Sequence, residues 1–392
     1  MGKNAKLLYD GQILTQGGEI KKQEILITDG RIAQVMPEIS DLPADIERID
    51  CDGKTVAPGL IDTHVHGALG RNFMEGTPDA IAAISGFMVK GGTTSCLATT
   101  MSADCDKTER ALCGLRDACR DTVPGQVEIL GIHLEGPFIN VINRGAHPEN
   151  SVRFATEPEL KMIKSAAQET LKVVTLAPEI PYAMEAIEFF IKMGSRVSIG
   201  HTTADFKQTQ AALIAGASRA THFFNAMPQI HHRQPGAVVA LLLDPSVFLE
   251  LTADGNHFAL PIFEMILRVA EPARCILITD GVDVRGLGDG CFQRWEGTGV
   301  IVRDGEAKTQ RGSLAGSMIS QCDAIANLVS SGSVSTENAL RMASEYPAKS
   351  VGVFDRKGSI SPGKDADLVV FNPDFSVSMT IIRGDIAYRE DV

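Results

Sequence analysis

Short apolar segments alternate with helical ones about eight times across about 300 residues, and this rhythm constrains the chain more than any other feature of it. The candidate strands are Gly59–His66, Thr94–Met101, Glu128–Glu135, Lys172–Ala177, Arg196–His201, Ala220–Asn225, Phe248–Ala253 and Arg274–Asp280. Pro158–Thr170, Tyr182–Met193 and Asp205–Ala215 carry helical patterning between them. Eight such units close into a (β/α)8 TIM barrel, an α/β fold whose strand C-terminal ends share one mouth. An open doubly wound sheet is the competing architecture, but it wants a Gly-rich phosphate turn after its first strand. No Gly-x-Gly-x-x-Gly stands there, and no Gly-x-x-x-x-Gly-Lys-[Ser/Thr] loop occurs.

Both ends of the chain read as β. Ile25–Ile27, the turn Asp29-Gly30 and Arg31-Ile32 spell a hairpin, and Leu368–Phe371 and Thr380–Asp385 are short strands around polar turns. Chain ends usually lie close together, so residues 1–56 and 358–392 are expected to form one small β-sandwich domain, with the barrel spanning 57–357. A β-hairpin insertion near residues 291–311 follows the eighth strand, which places it at the barrel mouth.

The formal charge is −12, from 37 Lys and Arg against 49 Asp and Glu. That sign argues against nucleic acid and anionic membrane as partners, since both want clustered cations. The longest apolar run, Val238–Leu251, is cut by Asp244-Pro245 and falls short of the ~18 residues of a membrane span. No secretory pattern opens the chain, and its eight cysteines form no Cys-x-x-Cys. Reduced thiols in a cytoplasmic protein are therefore expected.

The histidines carry the chemistry. Strand one ends in Asp62-Thr63-His64-Val65-His66, and residues two apart on a strand share a face, so His64 and His66 can aim at one cation. Glu135 closes strand three, His201 strand five and Asp280 strand eight, and His222 lies near the end of strand six. Barrel geometry brings these ends together, so imidazoles and carboxylates meet at one mouth. Such a donor set suits zinc or iron better than magnesium or calcium. Each residue also has a plain structural reading: a buried His is often a core hydrogen-bonder, and an Asp after a strand is often a helix cap. His133 reads as core or as a support for Glu135. Only a metal explains why they all fall at strand C-termini.

The motifs Pro58–His66, Leu134–Phe138, Gly145-Ala146-His147, Gly200-His201-Thr202, Thr221–Met227, His231–Gly236, Ala253–His257, Thr279-Asp280-Gly281 and Leu314–Ser317 resemble the amidohydrolase superfamily and, within it, the N-acetylglucosamine-6-phosphate deacetylases. The resemblance implies that Glu135, His201 and His222 hold the main metal, with His64 and His66 able to hold a second. One or two divalent ions, zinc above all, are thus expected. It implies that Asp280 is the general acid/base and that His147 lies close to the substrate, where such a donor would steady the oxyanion. It places Ala146, Asn225, Ala226, Arg233, His257 and Leu314-Ala315-Gly316 against the substrate. Arg233 would reach a neighbouring subunit's site and meet the phosphate, so a homodimer is expected. Gly281 departs from the Ala often found after the catalytic Asp.

The implied reaction is deacetylation of N-acetylglucosamine 6-phosphate, with a sugar amine and acetate as products. Three alternatives stand beside it. The galacto epimer differs only at C4, which motifs around a metal do not read. A cyclic-amide hydrolase wants a bridging lysine at the end of strand four, where this chain has Leu176-Ala177-Pro178-Glu179. An inactive scaffold would have kept the barrel and lost ligands, and none is lost here.

Overall fold

A computed structural model of the chain describes residues 5–43, 45–121 and 123–391. Eight parallel strands form one sheet in chain order: β1 (Leu60–Val65), β2 (Thr93–Thr100), β3 (Glu128–Glu135), β4 (Leu171–Leu176), β5 (Arg196–Ile199), β6 (Arg219–Ala220), β7 (Phe248–Leu251) and β8 (Cys275–Leu277). β2 is buried along its whole length, as expected of a parallel strand covered on both faces. Between strands lie amphipathic helices such as Cys105–Arg120, which buries Thr108, Ala111, Leu112 and Leu115 at helical spacing. Its start is set by Asp104, whose carboxylate accepts the Lys107 N–H at 2.8 Å.

The sheet closes past the end of β8. A parallel bridge joins Val65 to Gly281, the Asp280 N–H donates to the His64 carbonyl at 2.8 Å, and the His66 N–H donates to the Gly281 carbonyl at 2.9 Å. Closure thus runs through the very residues that carry the first and last motifs. The barrel floor is apolar: Ile61, Leu97, Leu130 and Val173, from four successive strands, pack against Ala348 and Val351. The helix Glu345–Ser350 supplies Ala348. Above the floor the interior turns polar, and this polarity is what the mouth is built on.

One correction concerns β6. The sequence pattern carries a strand from Ala220 to Asn225, but the strand stops at Ala220. His222, Phe224 and Ala226 all have positive φ (26°, 74° and 54°), a conformation no strand can continue through. The chain turns over the mouth instead.

A separate mixed sheet joins the two termini. Its path runs Asp385–Arg389, Val377–Ile382, Leu368–Phe371, Thr55–Pro58, Ala5–Leu14, Ile20–Thr28 and Arg31–Met36, with Glu47–Asp50 paired to Ala5–Leu14. Asp29 and Gly30 both have positive φ (50° and 75°), the backbone that a tight two-residue hairpin needs. Leu8, Ile25, Ile27, Val56, Leu368, Val370 and Ile381 come together on one face as the sheet's own core. After β8, Gly290–Gln293, Gly299–Arg303 and Glu306–Thr309 make a three-stranded antiparallel sheet beside the mouth.

Candidate active site and metal centre

The strand ends deliver their side chains into one cavity of about 460 Å³. Its wall contains His66, Glu135, Ala146, His147, His201 and His222. Asn225, Ala226, His257, Asp280 and the turn Leu314-Ala315-Gly316 complete the set named from sequence. His64 lies just beneath, fully buried. Arg233 is the exception: it stands exposed with His231 and His232, outside the cavity wall of the single chain.

Glu135 is the hub. Its Oε1 lies 3.1 Å from His222 Nε2, 3.3 Å from His201 Nε2 and 3.4 Å from His64 Nε2. Its Oε2 lies 3.2 Å from His66 Nε2 and 3.3 Å from His147 Nε2. Asp280 Oδ1 faces His66 Nε2 at 3.4 Å and His64 Nε2 at 3.5 Å, while Oδ2 sits 3.8 Å from His257 Nε2. His257 is steadied in turn by Asp254, 2.7 Å from its Nδ1. His201, two residues past β5, and Asp280, three past β8, also adopt positive φ (48° and 50°), so the chain turns where each side chain meets the cavity.

Hydrogen bonds on the far ring nitrogens decide which rings can hold a cation. His201 Nδ1 faces the Asn143 carbonyl at 2.8 Å and must donate to it, which leaves Nε2 with a lone pair. His201 Nε2 and His222 Nε2 stand 2.9 Å apart, a repulsive contact unless a proton or a cation is shared between them. His64 Nδ1 faces Glu250 at 2.9 Å, and its Nε2 is buried without a hydrogen-bond partner. These are the marks of a cation site, and Glu135, His201 and His222 fit one divalent ion. His64, His66 and Asp280 converge on a second point close by.

Two further groupings fail the same test. Glu135, His147 and His201 also converge. However, His147 Nδ1 accepts the Ser102 N–H at 3.1 Å, so the neutral ring carries its proton on Nε2 and is a donor rather than a ligand. In the group His64, His133 and Glu250, His133 donates from Nδ1 to the Thr63 carbonyl at 3.1 Å and turns Nε2 to Thr175 Oγ1 at 2.7 Å. Its ring is a core hydrogen-bonder.

The electrostatics agree. Burial pushes Glu135 up, but His64, His147, His201 and His222 outweigh it and hold the carboxyl well below its usual range. Burial likewise opposes ionisation of Asp280, and the charge of His64 and the hydrogen bond from His66 overcome it, bringing the group down to about 2. Burial would lower His64, yet Glu135, Asp280 and Glu250 raise it well above the usual imidazole value. His147 goes the other way: burial prevails over Glu135 and takes it to about 4, so it is neutral near pH 7.

Four residues that matter here carry no sequence signal. Glu250 falls in a mostly apolar strand and Arg219 just before the strand read from sequence, yet both are wholly buried, with Arg219 Nη2 2.6 Å from Glu250 Oε1. Arg294 and Arg311, from the three-stranded excursion and its exit, line the cavity as cations. Arg294 is tied to Asp283 at 3.4 Å, whereas Arg311 is exposed.

The sequence model of the amidohydrolase family matches residues 55–387. The chain belongs to the amidohydrolase family. Two curated members lie close in sequence. The N-acetylgalactosamine-6-phosphate deacetylase of Escherichia coli O157:H7 is 35% identical over 376 residues, covering 96% of this chain and 97% of that protein. The N-acetylglucosamine-6-phosphate deacetylase of Bacillus subtilis is 35% identical over 384 residues, covering 97% of each. Among solved amidohydrolase structures, the N-acetyl-D-glucosamine-6-phosphate deacetylase of Mycobacterium smegmatis, a point mutant in complex with N-acetyl-D-glucosamine-6-phosphate, superposes with a TM-score of 0.90 at 31% identity, over 98% of this chain and 99% of that one.

Proposed function

We propose that the chain is a metal-dependent hydrolase that removes the acetyl group from N-acetyl-D-glucosamine 6-phosphate, giving glucosamine 6-phosphate and acetate in amino sugar catabolism. One observation carries the reading: an ionised carboxylate, Asp280, and a neutral N–H donor, His147, face the same Glu135-centred cluster of imidazoles.

Glu135, His201 and His222 would hold the main ion, and zinc would suit their nitrogen and carboxylate donors. Such an ion would supply Lewis acidity, able to lower the pKa of a water from about 15.7 towards 7 and to polarise the amide carbonyl. Asp280 takes the proton of the attacking water and returns it to the departing nitrogen, one carboxylate serving first as base and then as acid. Its low pKa keeps it ionised, with free lone pairs facing the cluster. His147 donates from Nε2 to the oxygen that gains charge, its tautomer locked by the Ser102 N–H. His257 faces the outer oxygen of Asp280 at 3.8 Å and, with Asn225, Ala226, Ala146 and Leu314–Gly316, lines the space for the sugar. Arg233, exposed in the single chain, serves the phosphate of a neighbouring subunit in a homodimer. Eight free cysteines suit a cytoplasmic setting, and no described helix is long and apolar enough to cross a membrane.

The galacto epimer is the second reading, supported by the Escherichia coli relative at the same 35% identity as the Bacillus subtilis one. The test is acetate release by the zinc-loaded protein from the two sugar phosphates side by side. The glucosamine reading expects the higher kcat/KM for the gluco sugar; a preference for the galacto sugar reverses it, and no acetate from either overturns both.

A further inference from the structure

Beneath the mouth a column of buried polar groups runs from the barrel floor to the metal cluster. Arg219, on β6, donates from Nη1 to Ser350 Oγ at 2.6 Å and from Nη2 to Thr63 Oγ1 at 3.0 Å. Nη2 also meets Glu250 Oε1, on β7, at 2.6 Å. The other oxygen of Glu250 accepts from His64 Nδ1 at 2.9 Å and from the His222 backbone N–H at 3.1 Å. Arg219, Glu250 and His64 are each 0% exposed. A charge buried this deeply is costly unless it is paired, and this carboxylate is paired on every side. It answers three donors, which an amide cannot do, because the amide nitrogen would turn a donor towards another donor.

We propose that Glu250, braced by Arg219, is a positioning residue that makes the chain a two-metal rather than a one-metal protein. By accepting the hydrogen bond of His64 Nδ1–H it orients that ring and keeps its proton on Nδ1, so that Nε2 faces the mouth beside His66 and Asp280 as the nitrogen a cation would take. The same oxygen anchors the turn that presents His222 to the first ion, so one carboxylate serves both positions. A carboxylate behind a ligating histidine is a general device for orienting the ring and raising its basicity. Here it sits behind His64, the ligand that separates a second site from the first. The inference rests on the metal-hydrolase reading above, yet its test does not depend on turnover.

Metal-free protein is titrated with cobalt(II) against a competing chelator, following both the number of ions bound and the cobalt absorption spectrum. Wild type is expected to take two ions per chain. In Glu250→Gln the second binding step is expected to weaken about 10- to 100-fold more than the first. Glu250→Asp keeps the charge against Arg219, and so supports folding, but its shorter arm cannot reach both His64 and His222; the same loss of the second ion is expected. In a His64→Asn background, Glu250→Gln should cost little further second-ion affinity. Three results overturn the inference: a wild type that takes only one ion, a variant that keeps both affinities and merely melts earlier, or equal losses with and without His64. Two ions bound as described without acetate release would defeat the functional reading and leave this one standing.

Discussion

At the scale of single residues, Asp280 and His147 face the same Glu135-centred cluster, but their surroundings leave one ionised and the other neutral. Asp280→Asn removes the proton acceptor and is expected to lower kcat by about 10²–10⁴, the usual worth of a general acid/base, while the ion held by Glu135, His201 and His222 is retained. Kinetics and elemental analysis on one sample check it, and near-normal turnover would refute the role. His147→Ala removes an oxyanion donor and is expected to cost about 10²–10³ in kcat, again with metal retained, because the ring donates from Nε2. Loss of metal in that variant would make it a ligand instead. Most of this site was legible in sequence because its members sit in recognisable strings at strand ends. Glu250 and Arg219 were not. Within Phe248–Leu251 and Arg219–Ala220, only barrel closure reveals which side chains face the interior and that one charge answers the other.

At the scale of elements, the mouth depends on turns more than on strands. The strand alternation and its helices were readable from hydrophobic periodicity, but the end of β6 was not, since nothing local in Thr221–Ala226 announces three positive-φ residues. Closure after β8 is tighter still. Ser317 donates its N–H to the Asp280 carbonyl at 2.8 Å, and Gly316 passes beside that oxygen with φ of 125°. A Cβ on Gly316 would lie 2.7 Å from the Asp280 carbonyl oxygen. Gly316→Ala must therefore shift the backbone that aims the Asp280 carboxylate. A misplacement of about 1 Å can cost about 100-fold, so kcat is expected to fall 10- to 100-fold while the protein stays folded. Wild-type kcat in this variant would show that the turn is not rigidly coupled to Asp280.

At the scale of the whole molecule, a charged cluster ties the terminal sheet to the foot of the barrel. Glu128, which opens β3, meets Arg356 at 2.5 Å, Lys357 at 2.9 Å and Arg383 at 2.9 Å, and Arg383 follows the strand Val377–Ile382. Burial raises the Glu128 carboxyl, but Arg356 and Lys357 prevail and bring it from 4.5 down to about 2. A carboxyl depressed on folding adds stability that is fully present above its unfolded pKa of about 4.5 and is lost as pH falls towards 2. The shift corresponds to about 3 kcal/mol. Glu128→Gln is expected to lower the melting temperature at pH 7 and to flatten its decline between pH 4.5 and 2; parallel curves for variant and wild type would contradict this. The pairing of distant termini was legible in composition and turn signals, but this charged seam was not, because it joins residues more than two hundred positions apart.

The central claim is that Glu135, His201 and His222 share one Lewis-acidic ion beside Asp280. Anomalous difference density at the zinc edge, from crystals of the zinc-loaded chain, tests it most directly. The account predicts a peak about 2.0–2.2 Å from the Nε2 atoms of His201 and His222 and from a carboxylate oxygen of Glu135, with Asp280 in hydrogen-bonding range of any water bound there. A peak coordinated by His147, or none within reach of Glu135, would contradict it.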